Sequence, residues 1–177
     1  MLDKRYQVFI STSGSEMQPE RMVLTQTLVG MGFFSWGLEQ RTPLSTSYAR
    51  RQIDDCDYVV LLLGSQYGEQ SVSGVGYMHL EYIYAVTKQK PMIVFMHEDP
   101  DSRDASLQDA KPELREKFKE FRRLLQQEVD QVFCYRSLRD LELAVRFNMP
   151  QMLERYPVVG WVRPQNTQAL HDEIEQI

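Results

Sequence analysis

Cysteine is scarce in this chain: Cys56 and Cys134 are the two among 177 residues, in no CxxC or Cys/His spacing. That argues against a disulfide framework or a zinc site, and leaves reduced thiols and a cytoplasmic setting as the expectation. No apolar run is long enough to span a bilayer. The opening MLDKRYQVFISTSG has no extended hydrophobic core, so neither a membrane helix nor a secretory signal is expected. Positive charge is not in excess either. A formal net charge of −5 disfavours non-specific nucleic-acid binding, which needs clustered cations. Arg41, Arg50 and Arg51, and the cations between Arg115 and Arg123, are interleaved with acids and read as solvated faces. Several chemical signatures are missing as well. There is no GxxxxGK[ST] loop, GSQYG is not a nucleophile elbow, and His79, His97 and His171 have no evident triad partners. No acidic cluster follows the first strand, as a phosphoryl-accepting receiver would require.

What is present is an ordinary globular composition, 42% apolar and 25% charged, at the length of one domain. The chain is organised around Asp57 to Met96. Tyr58 to Leu63 and Pro91 to Met96 are unbroken apolar runs of the kind found in strands covered on both faces. A Gly/Ser-rich loop and a helix lie between them, making a βαβ unit with a right-handed crossover. Arg5 to Ile10 reads as the first strand. A helix follows from Pro19, carrying Met22, Val23, Leu28 and Val29 at helical spacing and stopped by Gly30 and Gly32. Phe33 to Leu38 reads as the second strand. Ser45 or Ser47 caps a helix to Asp55, with Tyr48 and Ile53 inward. His97 to Ala110 reads as a polar loop, and Pro112 opens an amphipathic helix with Leu114, Phe118, Phe121, Leu125 and Val129 on one stripe. Val132 to Tyr135 is the fifth strand, and Leu138 to Arg155 a last helix that Pro150 should kink or break. The fold class is therefore α/β: a three-layer, flavodoxin-like domain with a five-stranded parallel sheet in the order 2-1-3-4-5. Residues 1–156 form that domain, and 157–177 a tail or the start of a linker turning helical.

In this order the topological switch point lies between strands one and three, and ligands bind beyond the carboxyl ends there. The residues expected at those ends are Ser11, Thr12 and Ser13, then Glu39, then Gly64, Ser65, Gln66, Tyr67 and Gly68. His97, Glu98, Arg136 and Ser137 follow strands four and five. Hydroxyls, glycines and a nearby helix N-terminus suit a phosphate or a ribose, and tyrosines could stack on a base. Plain turns and packed tyrosines are the ordinary alternatives. Glu81 stands out. It falls in the first or second turn of the helix after strand three, four residues after Tyr77, among Met78, Leu80, Tyr82, Ile83 and Tyr84. A lone carboxylate in that company points to a functional role rather than to a solvated helix N-terminus.

The stretches VFIST with Glu20-Arg21, GLE at Gly37 to Glu39, IDDCDYVVLLLGSQYG, GYMHLEYIYA, KPMIVFMHEDP and GWVR resemble a TIR-like family. It is known as domain of unknown function 4062 and usually lies N-terminal to NTPase, helical or repeat regions. The resemblance spans Lys4 to Arg163. Its wider relatives are TIR domains and nucleoside deoxyribosyltransferases, with a glutamate on the helix after the third strand and, in TIR enzymes, an aromatic residue four positions earlier. Glu81 and Tyr77 match that spacing. The resemblance implies cleavage of an N-glycosidic bond in NAD or a related nucleotide, with Glu81 as catalytic residue. For that reaction Ser11, Thr12, Glu39, Gly64, Ser65, Tyr67 and Tyr77 are the residues expected around the substrate, with Glu39 and Glu98 as candidate second carboxylates. No resident cofactor or metal is implied, NAD being substrate. The context implied is antiviral defence or signalling, with homo-oligomers or C-terminal partner domains. A non-catalytic self-associating domain and a deoxyribosyltransferase are the alternative readings.

Overall fold

A computed structural model describes residues 3–164 and 167–177. Five parallel strands form one sheet in the order β2-β1-β3-β4-β5: β1 Tyr6–Thr12, β2 Phe33–Trp36, β3 Tyr58–Leu63, β4 Met92–His97 and β5 Val132–Tyr135. The flavodoxin-like topology read from the apolar runs is the one observed. Among the described residues five helices alternate with the strands, α1 Gln18–Gly30, α2 Thr46–Asp55, α3 Tyr77–Thr87, α4 Pro112–Glu128 and α5 Leu138–Arg155, and α6 Thr167–Glu175 follows α5.

The central strands are unbroken apolar runs because both faces are covered. Val60, Leu62, Ile93 and Phe95 pack toward α1 and α5, through Leu24, Leu28, Leu141 and Val145. Val59, Leu61, Val94 and Met96 pack the other way, onto residues of α2, α3 and α4 such as Ile53, Tyr82 and Phe121. Each of the fully buried apolar side chains among these contributes on the order of 1.5–3 kcal/mol.

Several details differ from the sequence reading. β1 runs two residues past Ile10, so Ser11 and Thr12 are strand residues and fully buried. β2 stops at Trp36, before Gly37 and Leu38. On α1, Met22 and Val29 face outward and Leu24 and Leu28 face the sheet. On α2, Tyr48 is exposed, and Ala49 joins Ile53 inside. Leu28 and Ile53 face inward as expected and Val23 packs against the core, whereas Met22, Val29 and Tyr48 do not, since Met, Val and Tyr tolerate half-exposed faces. Helix α5 runs unbroken through Pro150, held by buried Val145, Met149 and Met152 on both sides of the proline. The 97–110 segment is not featureless: Pro100–Ser102 and Ala105–Leu107 form 3-10 turns, and Asp109 within it is buried.

The C-terminal segment returns to the start of the sheet. Arg5 and Trp161 exchange backbone hydrogen bonds of 2.9 and 2.7 Å, and Lys4 pairs with Glu173 at 3.2 Å. Residues 165 and 166, inside the expected tail, and residues 1 and 2 lie outside the described residues. Among the described residues no helix is long and apolar enough to cross a membrane.

Candidate active site

The carboxyl ends of β1 and β3 meet where the strand order reverses. The loop after β1 and the loop after β3 touch there. Gly68 has φ +85°, and a Cβ added to it would collide with the Ser13 backbone. Only glycine combines that left-handed conformation with so close an approach. An open cleft of about 610 Å³ lies above this contact, lined by Ser13, Glu16, Glu39, Arg41, Gln66, Glu69 and Asp109, among others.

Glu81 is not among the residues that line this cleft; it meets it through Arg41, which borders both the cleft and the pocket beside Glu81. Glu81 sits in the second turn of α3, 6% exposed, and its carboxylate turns toward the end of β1 rather than to solvent. Ser11 Oγ donates to Oε1 at 2.7 Å, Arg41 Nη2 to Oε1 at 2.8 Å and Arg41 Nε to Oε2 at 3.1 Å. Arg41 is itself only 5% exposed, and its Nη1 donates to the Thr12 carbonyl at 2.5 Å. A carboxylate in an apolar surrounding requires such a partner, because an unpaired buried charge costs several kcal/mol. The pair is bidentate, the geometry a guanidinium favours. Arg41 borders both the large cleft and a small, partly open pocket of about 20 Å³ that it shares with Glu81, Tyr77 and Leu80. It is the side chain between the carboxylate and the large cleft.

The sequence reading put Arg41 on a solvated face, and the structure overturns that. A basic loop segment gives no local sign of burial. The available clue lay elsewhere, in the apolar neighbours of Glu81, which call for a cation nearby. Arg21 was also passed over as a site residue. Its Nη1 donates to Thr12 Oγ1 at 3.3 Å, and burial, then the neighbouring Arg41, pull its pKa below the ordinary arginine value, against Glu39 and Glu81.

The expected binding residues divide into two groups. Ser11, Thr12 and Tyr77 gather around Glu81 and Arg41, and Glu39 lines the open cleft. Gly64, Ser65 and Tyr67 do not line it. Ser65 is buried, donating to the Leu107 carbonyl at 2.7 Å and accepting from Arg103 at 3.0 Å. Gly64 leaves room for Arg103 and Met17. Tyr67 packs edge-on against Phe121. Its hydroxyl accepts from the Gly76 N–H at 2.9 Å and meets His79 Nδ1 at 3.0 Å, while its own N–H donates to Asp109 at 2.7 Å. A tyrosine after a strand reads the same in sequence whether it packs or binds, and here core packing prevailed. Glu98 lies exposed at the far end of β4, paired with Arg136. Arg103 reaches back across the strand ends to Glu20 at 3.2 Å, fixing the 97–110 segment.

The domain of unknown function DUF4062 matches residues 7–150. The chain belongs to the DUF4062 family. No curated protein matches the sequence. Among solved structures, this DUF4062 domain is similar to the Clostridium botulinum CMP N-glycosidase BcmB. Identity is 14% and the TM-score 0.51, over 80% of this chain and 98% of that one. At that identity the likeness is one of fold.

Proposed function

We propose that this domain cleaves the N-glycosidic bond of a nucleotide or related nucleoside compound, with Glu81 as the catalytic carboxylate. The observation that carries the reading is the placement of Glu81: a buried carboxylate at the switch point, joined to the end of β1 by Ser11 and paired with Arg41, which borders the open cleft. The fold shared with a solved CMP N-glycosidase supports the same reaction class. The resemblance to TIR enzymes brings NAD forward as a substrate and a defence or signalling context with it.

In the reaction, the bond from C1′ to the base nitrogen breaks and the electron pair leaves with the base. Water adds to C1′, and its proton goes to a neutral base or, when the base was a cation, to solvent. The sugar passes through an oxocarbenium-like state, which an adjacent carboxylate stabilises. Glu81 is suited to that role because Ser11 and Arg41 hold it in one orientation. To reach the sugar, it must exchange part of the Arg41 contact for ribose hydroxyls. Tyr77, one turn earlier on α3, borders the same small cavity and is placed to limit how the ring enters.

One observation favours a second reading, a self-associating domain without catalysis. Both oxygens of the Glu81 carboxylate already accept from Ser11 or Arg41, and the pocket beside it holds only about 20 Å³. The two readings separate in one experiment: incubate the protein, alone and forcibly oligomerised, with NAD, nucleosides and deoxynucleosides, and resolve released bases by chromatography. Release that disappears in Glu81→Gln, in a variant that still folds, supports the hydrolase. Association without any release favours the interaction domain, and base exchange between deoxynucleosides would indicate a transferase.

A further inference from the structure

The charges around the cleft restrict what it accepts. Glu16, Glu39 and Glu69 line it, Asp109 borders it but is buried and accepts from the Tyr67 N–H, and Arg41 is the one cation among its described lining residues. That cation is committed, bound through two nitrogens to Glu81 and through the third to the Thr12 carbonyl. Further guanidinium groups stand near the strand ends without lining the cleft: Arg103 is held by Glu20 and Ser65, Arg21 donates to Thr12 Oγ1 and Arg122 to the His97 carbonyl. The remaining phosphate acceptor expected at a switch point is the N-terminus of the following helix. On α3 the Gly76 N–H donates to the Tyr67 hydroxyl and the Tyr77 N–H to the Glu69 carbonyl, at 2.9 and 3.0 Å, and none of the first helical residues lines the cleft. Among its described lining residues the cleft thus presents an excess of carboxylates over its one guanidinium, and Arg41 keeps the Thr12 carbonyl and part of Glu81 even when the sugar takes up the rest of that contact. Carboxylates are what bind ribose hydroxyls, whereas a phosphate beside them is repelled.

Resting on the proposed hydrolase reading, we infer that the cleft takes a nucleoside without a 5′-phosphate in preference to the corresponding nucleotide, and a cationic base in preference to a neutral one. This narrows the substrate away from NAD, whose pyrophosphate adjoins the sugar that is cut, and toward phosphate-free ribosides.

The test pairs nicotinamide riboside, cytidine and adenosine each with its 5′-monophosphate, adds NAD, and measures base release by chromatography and binding by calorimetry on the whole chain. The expected result is that kcat/KM, or binding where turnover is undetectable, favours each nucleoside over its monophosphate by roughly tenfold or more. The gap should shrink as ionic strength rises and in Glu39→Gln and Glu69→Gln, because screening or removing carboxylates relieves the repulsion. Monophosphates or NAD cleaved as well as the nucleosides would overturn this inference and leave the hydrolase reading standing. Absence of base release from every compound would sink the hydrolase reading. Calorimetry would then decide the charge argument alone: tighter nucleoside binding upholds it, and equal binding or none refutes it.

Discussion

Replacing Arg41 by alanine isolates what the buried ion pair does for the fold. The substitution removes both nitrogens that bind Glu81 and the one that binds the Thr12 carbonyl. Glu81, 6% exposed, would keep Ser11 as its remaining described partner. Removing one member of a buried pair and stranding the other costs about 3–5 kcal/mol. At about 2–4 °C per kcal/mol for a chain of this size, Tm should fall by about 6–20 °C. Arg41→Lys should lie between the two, since an ammonium supplies one point charge and cannot bridge both carboxylate oxygens. The double variant Arg41→Met with Glu81→Leu should recover much of the loss, because neither charge is then left buried alone. Urea unfolding of the four proteins measures this directly. An Arg41→Ala domain within about 1 kcal/mol of its parent would refute the stated burial and pairing.

Three further predictions concern other parts of the molecule. Gly68→Ala should destabilise by about 1–3 kcal/mol or more, read from urea midpoints, because φ +85° and the Ser13 backbone both oppose a side chain. His97 and His79 both have pKa values pushed below the ordinary 6.5, chiefly by burial and in His97 also by Arg103. The unfolded chain therefore takes up protons that the folded chain refuses. Their stabilising contribution is complete above about pH 6.5 and declines as pH falls toward the depressed folded values. Urea midpoints should drop between pH 7.5 and pH 5.5, roughly bracketing that value, and the drop should be smaller in His97→Gln; a rise would contradict it. Burial raises the Cys56 thiol to about 12, whereas Cys134 is exposed, so a thiol reagent at mildly alkaline pH should label Cys134 alone until the protein unfolds.

The sheet was legible because its code is simple: strands buried on both faces must be apolar along their whole length, and Tyr58–Leu63 and Met92–His97 nearly are. The carboxylate was legible for the opposite reason, as a charge where its neighbours allow none. Its partner was not. Arg41 lies forty residues away, in a loop whose composition resembles solvent-facing surface, and only the closure of β2 and α2 over β1 brings it in. The same limit hid Arg103 and Asp109. Periodicity says nothing about a segment held by side-chain hydrogen bonds, so 97–110 looked unstructured although its turns close over the strand ends. Tyr67 failed differently. Position after a strand suggested a ligand, and the ring instead fills the core beside Phe121.

The most direct measurement of the central claim is chromatographic detection of free base from nucleosides and nucleotides incubated with the parent and with Glu81→Gln, both shown to be folded by their melting curves. Base should be released by the parent, and the rate should fall by at least about 10²-fold in the variant, as expected when the charge stabilising an oxocarbenium-like state is removed. Equal rates in the two folded proteins would contradict the assignment of Glu81.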